Sequence, residues 1–266
     1  MVNKFLTATM VGFILTIVST NSIIAQPEWG FYSQFLKYHK WSIIAGPVLY
    51  DKASIDKEYG DYTFSNKNTI SFNAGFEYDF YPEKKWSFIT GFIVGLEPAY
   101  NFSYQIKKED IYPHFAEDCK DKDKMYSLTS FSAPLLLRLR IQSNKNYYIN
   151  FLTGLKIMFF PPGDAEFLLR FHNEDDTEIR EVFGLRAESP DNMFQGSFVI
   201  GSGVSHTMRR ILISTKLIYV MNFQNIMNGE YLFDNMFVSE RTHGTYKLSG
   251  NYIGLLFSVQ FARKKK

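Results

Sequence analysis

Thr69-Ile70-Ser71-Phe72-Asn73-Ala74-Gly75-Phe76-Glu77-Tyr78-Asp79-Phe80 splits into two sets when every second residue is taken. Ile70, Phe72, Ala74, Phe76, Tyr78 and Phe80 fall on one face, and Thr69, Ser71, Asn73, Gly75, Glu77 and Asp79 on the other. A helix would smear these sets around its circumference, whereas a strand holds them apart. The last stretch repeats the pattern, with Ile253, Leu255, Phe257, Val259 and Phe261 against Tyr252, Gly254, Leu256, Ser258 and Gln260. Working outward, the same period marks eight segments: 39–50, 67–80, 86–105, 126–141, 147–160, 194–206, 211–225 and 248–261. Several are longer than about ten residues, which is long for a soluble sheet and suits tilted strands that cross a bilayer and project beyond it.

The connections alternate as well. They are short at 81–85, 143–146 and 207–210, and long at 51–66, 107–124, 161–193 and 226–247. An outer-membrane barrel with both termini in the periplasm requires this order. On that topology Trp41, Tyr78, Phe80, Trp86, Tyr147 and Phe261 share the periplasmic end and the apolar face, as an aromatic girdle at one membrane interface does. The expected fold is all-β: an eight-stranded antiparallel up-and-down transmembrane β-barrel with short periplasmic turns and long outer loops. Pro47, Pro98 and Pro134 each remove one ladder donor, so bulges or bends are expected there.

Residues 1–25 read as a cleaved secretory signal: Lys4, an apolar run from Phe5 to Ile24, then Ala25-Gln26-Pro27 with no Cys to carry a lipid. A periplasmic segment at 26–38, a barrel at 39–261 and a basic tail at 262–266 follow. Removing the signal leaves 28 basic against 27 acidic side chains, and setting aside Arg263 to Lys266 leaves 24 against 27. Such a balance excludes a nucleic-acid binder driven by bulk charge. The single Cys excludes a disulfide framework and a Cys-based zinc cluster. Aromatics reach 17% and hydrophobics 45%, which excludes wholesale disorder.

The chain resembles the small PorT-like class of outer-membrane β-barrels common in Bacteroidota. The resemblance is carried by the Ala25-Gln26 signal end, by Ser132-Ala133-Pro134-Leu135-Leu136-Leu137-Arg138, and by a final alternating strand that reaches Phe261. It implies an outer-membrane location and implies no single activity. Ala262-Arg263-Lys264-Lys265-Lys266 departs from the pattern, since the barrel-assembly machinery commonly reads an aromatic at the free C-terminus.

The inward set contains Glu77, Asp79, Glu97, Arg138, Arg140, Lys156 and Lys216. Side chains just fill an eight-stranded barrel, so these charges should pair in a structural network rather than line a pore. Inward Ile89, Ile93, Leu152, Val199 and Leu212 agree with a packed lumen.

Ser205 and His206 are adjacent on a strand and point to opposite faces, so they cannot pair directly. Ser239, Glu240 and His243 could meet in the last outer loop, but loop polar groups usually only solvate. Gly201-Ser202-Gly203 relieves crowding rather than binding a dinucleotide. The charged runs Glu117 to Lys124 and Glu174-Asp175-Asp176 with Glu178 lack calcium-loop spacing, and Cys119 reads as a lone exposed thiol. Neither catalytic residues nor a cofactor or metal is expected.

The function these residues favour is a non-enzymatic outer-membrane barrel whose outer loops bind something or shape the surface. Its expected partners are membrane lipid and lipopolysaccharide, the assembly machinery, and a ligand or protein at the loops. A lipid-modifying acylase or deacylase and a soluble lipocalin-like carrier are the alternatives. The apolar Phe167-Leu168-Leu169 in the longest loop should pack on the barrel rim or meet a partner.

Overall fold

The computed structural model describes residues 32–60, 62–111, 119–172, 179–236 and 241–263. The expected signal segment and Lys264 to Lys266 lie outside them. The strands are β1 Trp41–Tyr50, β2 Ser54–Tyr59, β3 Ser65–Asn66, β4 Thr69–Asp79, β5 Trp86–Ile106, β6 Cys119–Asn144, β7 Tyr147–Phe159, β8 Asp164–His172, β9 Ile179–Glu188, β10 Phe194–Thr207, β11 Ile211–Asn222, β12 Met227–Phe233, β13 Thr242–Leu248 and β14 Tyr252–Phe261.

Eight of them form one antiparallel sheet in the order β5-β4-β1-β14-β11-β10-β7-β6, and β6 pairs back with β5 to close the barrel. Every barrel strand pairs with its predecessor and successor among the eight, so the barrel is a simple meander. Period-two alternation positions the side chains as the sequence dictates. On β14, Tyr252, Leu256, Ser258 and Gln260 are buried, while Ile253, Leu255, Phe257 and Phe261 are exposed on the exterior. On β4, Ser71, Asn73, Glu77 and Asp79 are buried beside exterior Ile70, Phe72 and Phe76.

Boundaries differ most from the sequence expectation at two places. The last barrel strand starts at Tyr252, not at 248, because Leu248 ends β13 and Gly250, at a φ of +69°, turns the chain between them. The fourth barrel strand starts at Cys119, not at 126.

Of the three prolines, only Pro98 shifts the register, against Leu96 on one side and Tyr100 on the other. At Pro47 and Pro134 the ladder to one neighbour lapses and resumes in the same register, so no bulge forms there. Losing one N–H does not by itself displace a strand.

The shift at Pro98 changes which parity faces inward. Within the barrel Ser87, Ile89 and Glu97 of β5 point in; beyond it Tyr100, Phe102, Tyr104 and Ile106 are the buried set. The partner strand changes parity with it: Ser130, Ser132 and Arg138 are buried within the barrel, whereas Lys120, Lys122 and Lys124 beyond it are exposed. Each strand takes up one extra residue here, β6 between Thr129 and Tyr126 and β5 between Pro98 and Tyr100. Both therefore change parity and the pairing returns to its earlier register, because strand side chains repeat every two residues.

The long connections are not open loops. They supply a second antiparallel sheet in the order β2-β13-β12-β9-β8. Its inward face packs on the extension of the β5–β6 hairpin, and the two enclose an aromatic core that includes Phe64, Phe102, Phe183, Tyr231, Phe233 and Tyr246. Phe183 stacks on Phe233 with centroids 4.3 Å apart and planes 8° apart. We call this layer the cap. Two sheets with one greasy face each have no other way to remove those faces from water.

The opposite, short-turn end is closed by a 3₁₀ turn, Ser33–Lys37. Tyr32, Phe35 and Tyr38 recur every third residue, the repeat of a 3₁₀ helix, so their rings project together into the barrel mouth. They pack on Tyr148 and Leu212. The chain ends hold this floor in place. Tyr38 forms an antiparallel bridge with Ala262, Arg263 N–H donates to the Lys37 carbonyl at 2.7 Å, and Tyr32 N–H donates to the Glu83 carbonyl at 2.6 Å.

Candidate functional site

The lumen lies between floor and cap. All seven charged residues of the inward set are buried. Asp79 comes from the end of β4, and Arg138 and Arg140 from alternate positions of β6, so register brings all three to one level. Arg138 Nη2 donates to Asp79 Oδ2 at 2.5 Å and to Ser87 Oγ at 2.7 Å. Arg140 Nη2 lies 3.7 Å from the same carboxylate oxygen, and its Nη1 donates to the Pro82 carbonyl. The floor meets this layer directly, with the Arg140 guanidinium carbon 3.6 Å from the centre of the Phe35 ring.

Further into the barrel, Lys216 of β11 donates to Glu77 of β4. Asn150 Nδ2 donates to Ser205 Oγ at 2.7 Å, and Ser205 and Ser214 hydroxyls are 2.7 Å apart. An apolar belt of Ile89, Leu136, Leu152 and Val199 fills space around them. Toward the cap, Lys156 Nζ lies 3.4 Å from the Tyr252 hydroxyl, and Ser130 Oγ donates to Glu97 Oε1 at 2.6 Å. The void between the ion pairs holds about 20 Å³, room for about one water molecule. Charges taken out of water need this pairing, and the arrangement fills the barrel rather than leaving a path.

The six girdle residues lie at the short-turn end. Trp41 is 58% exposed, Trp86 53% and Phe261 54%. Tyr78 stands between Trp41 at 4.8 Å and Phe80 at 5.0 Å, both edge-on.

The structure separates Ser205 from His206. Ser205 points into the lumen, while His206 faces outward against the Tyr147 ring at 4.3 Å. His243 lies on β13 rather than in a loop, stacked on Tyr59 at 6.1 Å with its Nε2 3.7 Å from Glu58 Oε2. Ser239 and Glu240 lie outside the described residues, as do Glu117, Asp118, Glu174 to Asp176 and Glu178. Among the described residues no group of three or more His, Cys, Asp or Glu could hold a metal ion. A Cβ on Gly201 would come within 2.6 Å of the Leu217 carbonyl oxygen, so glycine there allows β10 and β11 to approach closely.

Cys119 is half-buried, not exposed, because it opens β6 opposite Ile106 on the cap's inner side. Burial raises its thiol pKa, which disfavours the reactive thiolate. The apolar run of the longest connection is divided by strand parity. Phe167 and Leu169 pack into the cap core, and Leu168 faces an outward groove of about 500 Å³. That groove crosses β8, β9, β12 and β13 and carries Glu58, Glu230 and Asp234 beside Arg186 and Arg241.

Sequence reasoning missed the cap and the floor. Period-two runs Phe183-Leu185-Ala187 and Tyr231-Phe233 signal the first, and the three-residue aromatic repeat signals the second.

No protein-family model matches the chain, and no curated protein matches it. Among solved structures it is similar to Neisserial surface protein A, at 8% identity and a TM-score of 0.37 over 85% of this chain and 99% of that one. It is similar also to the outer membrane protein OprG from Pseudomonas aeruginosa, at 11% identity and 0.38 over 85% and 98%. The attachment invasion locus protein Ail of Yersinia pestis matches at 12% identity and 0.28 over 82% and 99%. At these scores the strand pairing of the chain itself, not the likeness, establishes the barrel.

Proposed function

We propose that the chain is a non-enzymatic outer-membrane β-barrel protein with a filled lumen, and that its cap is the surface through which it acts. One observation carries the reading: an exterior of exposed apolar side chains surrounds a polar, ion-paired interior. Ile70, Phe72, Phe76, Leu135, Leu155, Ile157 and Leu255 face outward on four strands of the wall, an arrangement that water penalises and lipid accepts. A soluble carrier would need the inverse, with apolar residues inside and charges outside. The girdle at the short-turn end supports that end as a membrane interface. Delivery to the periplasm by a signal segment cleaved after Ala25 belongs to the same reading and rests on the sequence of residues 1–27. The kinship with PorT-like barrels of Bacteroidota belongs to the same proposal and rests on the Ser132 to Arg138 run.

The absence of catalysis is also part of the proposal. Ser205 has its hydroxyl committed to Asn150 and Ser214 inside the lumen, with His206 on the opposite face. Flotation tests the location. The refolded chain should rise with phosphocholine vesicles, migrate differently before and after boiling, and fractionate with the outer membrane in cells. Recovery as a soluble periplasmic protein would overturn the reading. A lipid-deacylase activity lost in His243→Ala would overturn its non-enzymatic part.

A further inference from the structure

The run Lys120-Asp121-Lys122-Asp123-Lys124 is almost neutral by composition, but it lies within β6 and a strand sorts it by sign. Lys120, Lys122 and Lys124 pair with Gln105, Ser103 and Asn101 of β5, the outward parity beyond the Pro98 shift. Asp121 and Asp123 pair with Tyr104 and Phe102 on the cap side, where the Tyr100 hydroxyl donates to Asp123 at 3.3 Å. The outward face of the hairpin is therefore a ladder of three ammonium groups, spaced about 7 Å apart as alternate strand residues are. All three lysines are exposed, and no ion pair ties them to a described carboxylate. Exposed Lys67, whose N–H donates to the Asn101 carbonyl at 2.9 Å, adds a fourth positive charge at the level of Lys124.

The position of the ladder selects its partner. Lys124 Nζ lies 4.4 Å from the centre of the Tyr126 ring, and the Tyr126 hydroxyl donates to the Ile70 carbonyl at 2.6 Å. Ile70 is 64% exposed and heads the apolar exterior of β4. The ladder thus begins where the apolar belt ends and continues away from it, the level at which headgroups lie once the belt is in a bilayer. We infer that this face binds the phosphate groups of an outer-leaflet glycolipid, the lysines acting as point charges and Tyr126 marking the boundary with the acyl chains. This rests on the bilayer reading above and adds a specific headgroup chemistry to it.

The test uses the full chain, folded in detergent and titrated with diphosphoryl lipid A, with the dephosphorylated lipid as the second arm. Wild type should bind the phosphorylated lipid, and the combined Lys120→Gln, Lys122→Gln, Lys124→Gln variant should bind it about 100-fold more weakly. The combined Lys→Arg variant should bind like wild type. Raising salt from about 0.1 M to about 1 M should weaken wild-type binding by shortening the screening length. Equal affinity of wild type and the Gln variant, or of the two lipids, overturns the inference. If the Gln variant does not fold, salt decides on wild type: binding unchanged at high salt overturns it, and binding lost supports it. Flotation with uncharged vesicles reads the bilayer reading separately, so a chain that floats but ignores the phosphates fails here alone.

Discussion

Lys216 and Glu77, separated by 139 positions in the chain, meet inside the barrel as a donor and acceptor pair from strands that are not neighbours. The contact crosses the lumen rather than running along the wall. Both side chains are nearly without solvent, at 8% and 7% exposure. Lys216→Met leaves a buried carboxylate unpaired and should cost about 3–5 kcal/mol, whereas Lys216→Met combined with Glu77→Leu should recover most of it. Denaturant unfolding from lipid vesicles measures both. A double variant no better than the single one would mean that the pair does not act as a unit.

Leu255 and Ser258 lie on one strand and face opposite ways. Leu255→Arg sets a charge on the exterior in mid-strand and should destabilise the refolded barrel by about 2–4 kcal/mol if that face meets the bilayer centre. Ser258→Arg crowds the lumen instead and should lower refolding yield in detergent and lipid alike. Leu255→Arg refolding into vesicles as well as wild type does would contradict the assignment of the exterior to lipid.

Phe183 anchors the cap and is fully buried between Phe233, Phe64 and Phe102. Phe183→Ala should cost the cap about 3–5 kcal/mol, the usual loss for a large aromatic removed from a core. Replacing 165–190 with a short Gly/Ser turn should go further, deleting most of β8 and all of β9 and uncovering that core. Limited proteolysis should then cut the cap segments while a heat-modifiable barrel fragment survives. Loss of the barrel along with the cap would mean that the two fold as one unit.

The cap should also open in alkali. Burial first, and the neighbouring Asp123 second, push the Tyr100 hydroxyl up to about 12, and burial raises Tyr104 and Tyr246 as well. A raised folded-state value favours the protonated form, so this stability is intact below the unfolded tyrosine value near about 10 and is lost as pH rises toward about 12. Near-ultraviolet tyrosinate absorbance followed with pH should show these rings titrating late, together with the loss of cap protection from protease.

The barrel was legible because alternation survives wherever one strand face meets a different solvent from the other. Ile70 to Phe80 and Tyr252 to Phe261 keep the period without interruption, and with it the inward charges and the girdle. The cap was hidden by two physical causes. The extra residue beside Pro98 exchanges the parity of β5, so Glu97 and Tyr100 look like opposite faces although both are interior to the protein. The cap strands β12 and β13 are only seven residues each, and beyond their own pairing their neighbours in the sheet, β9 and β2, come from remote parts of the chain. The charge run before Tyr126 resembled a solvated loop for a related reason: its acidic and basic residues cancel in sequence and separate only once the backbone is extended. The floor carries a period of three, which neither a strand nor an α-helix template matches.

The bridge between Tyr38 and Ala262 joins residues flanking the first and last barrel strands, and β1 and β14 pair with each other, so the two ends of the wall in chain order meet there. Assembly order follows from this. Two of the floor's ties, the Tyr38–Ala262 bridge and the Arg263 bond to Lys37, need β14 in place, so the final pairing step also fastens the mouth. A chain shortened before Ala262 would keep every strand of the wall and lose the clasp, which makes Ala262 and Arg263 a latch on completed closure.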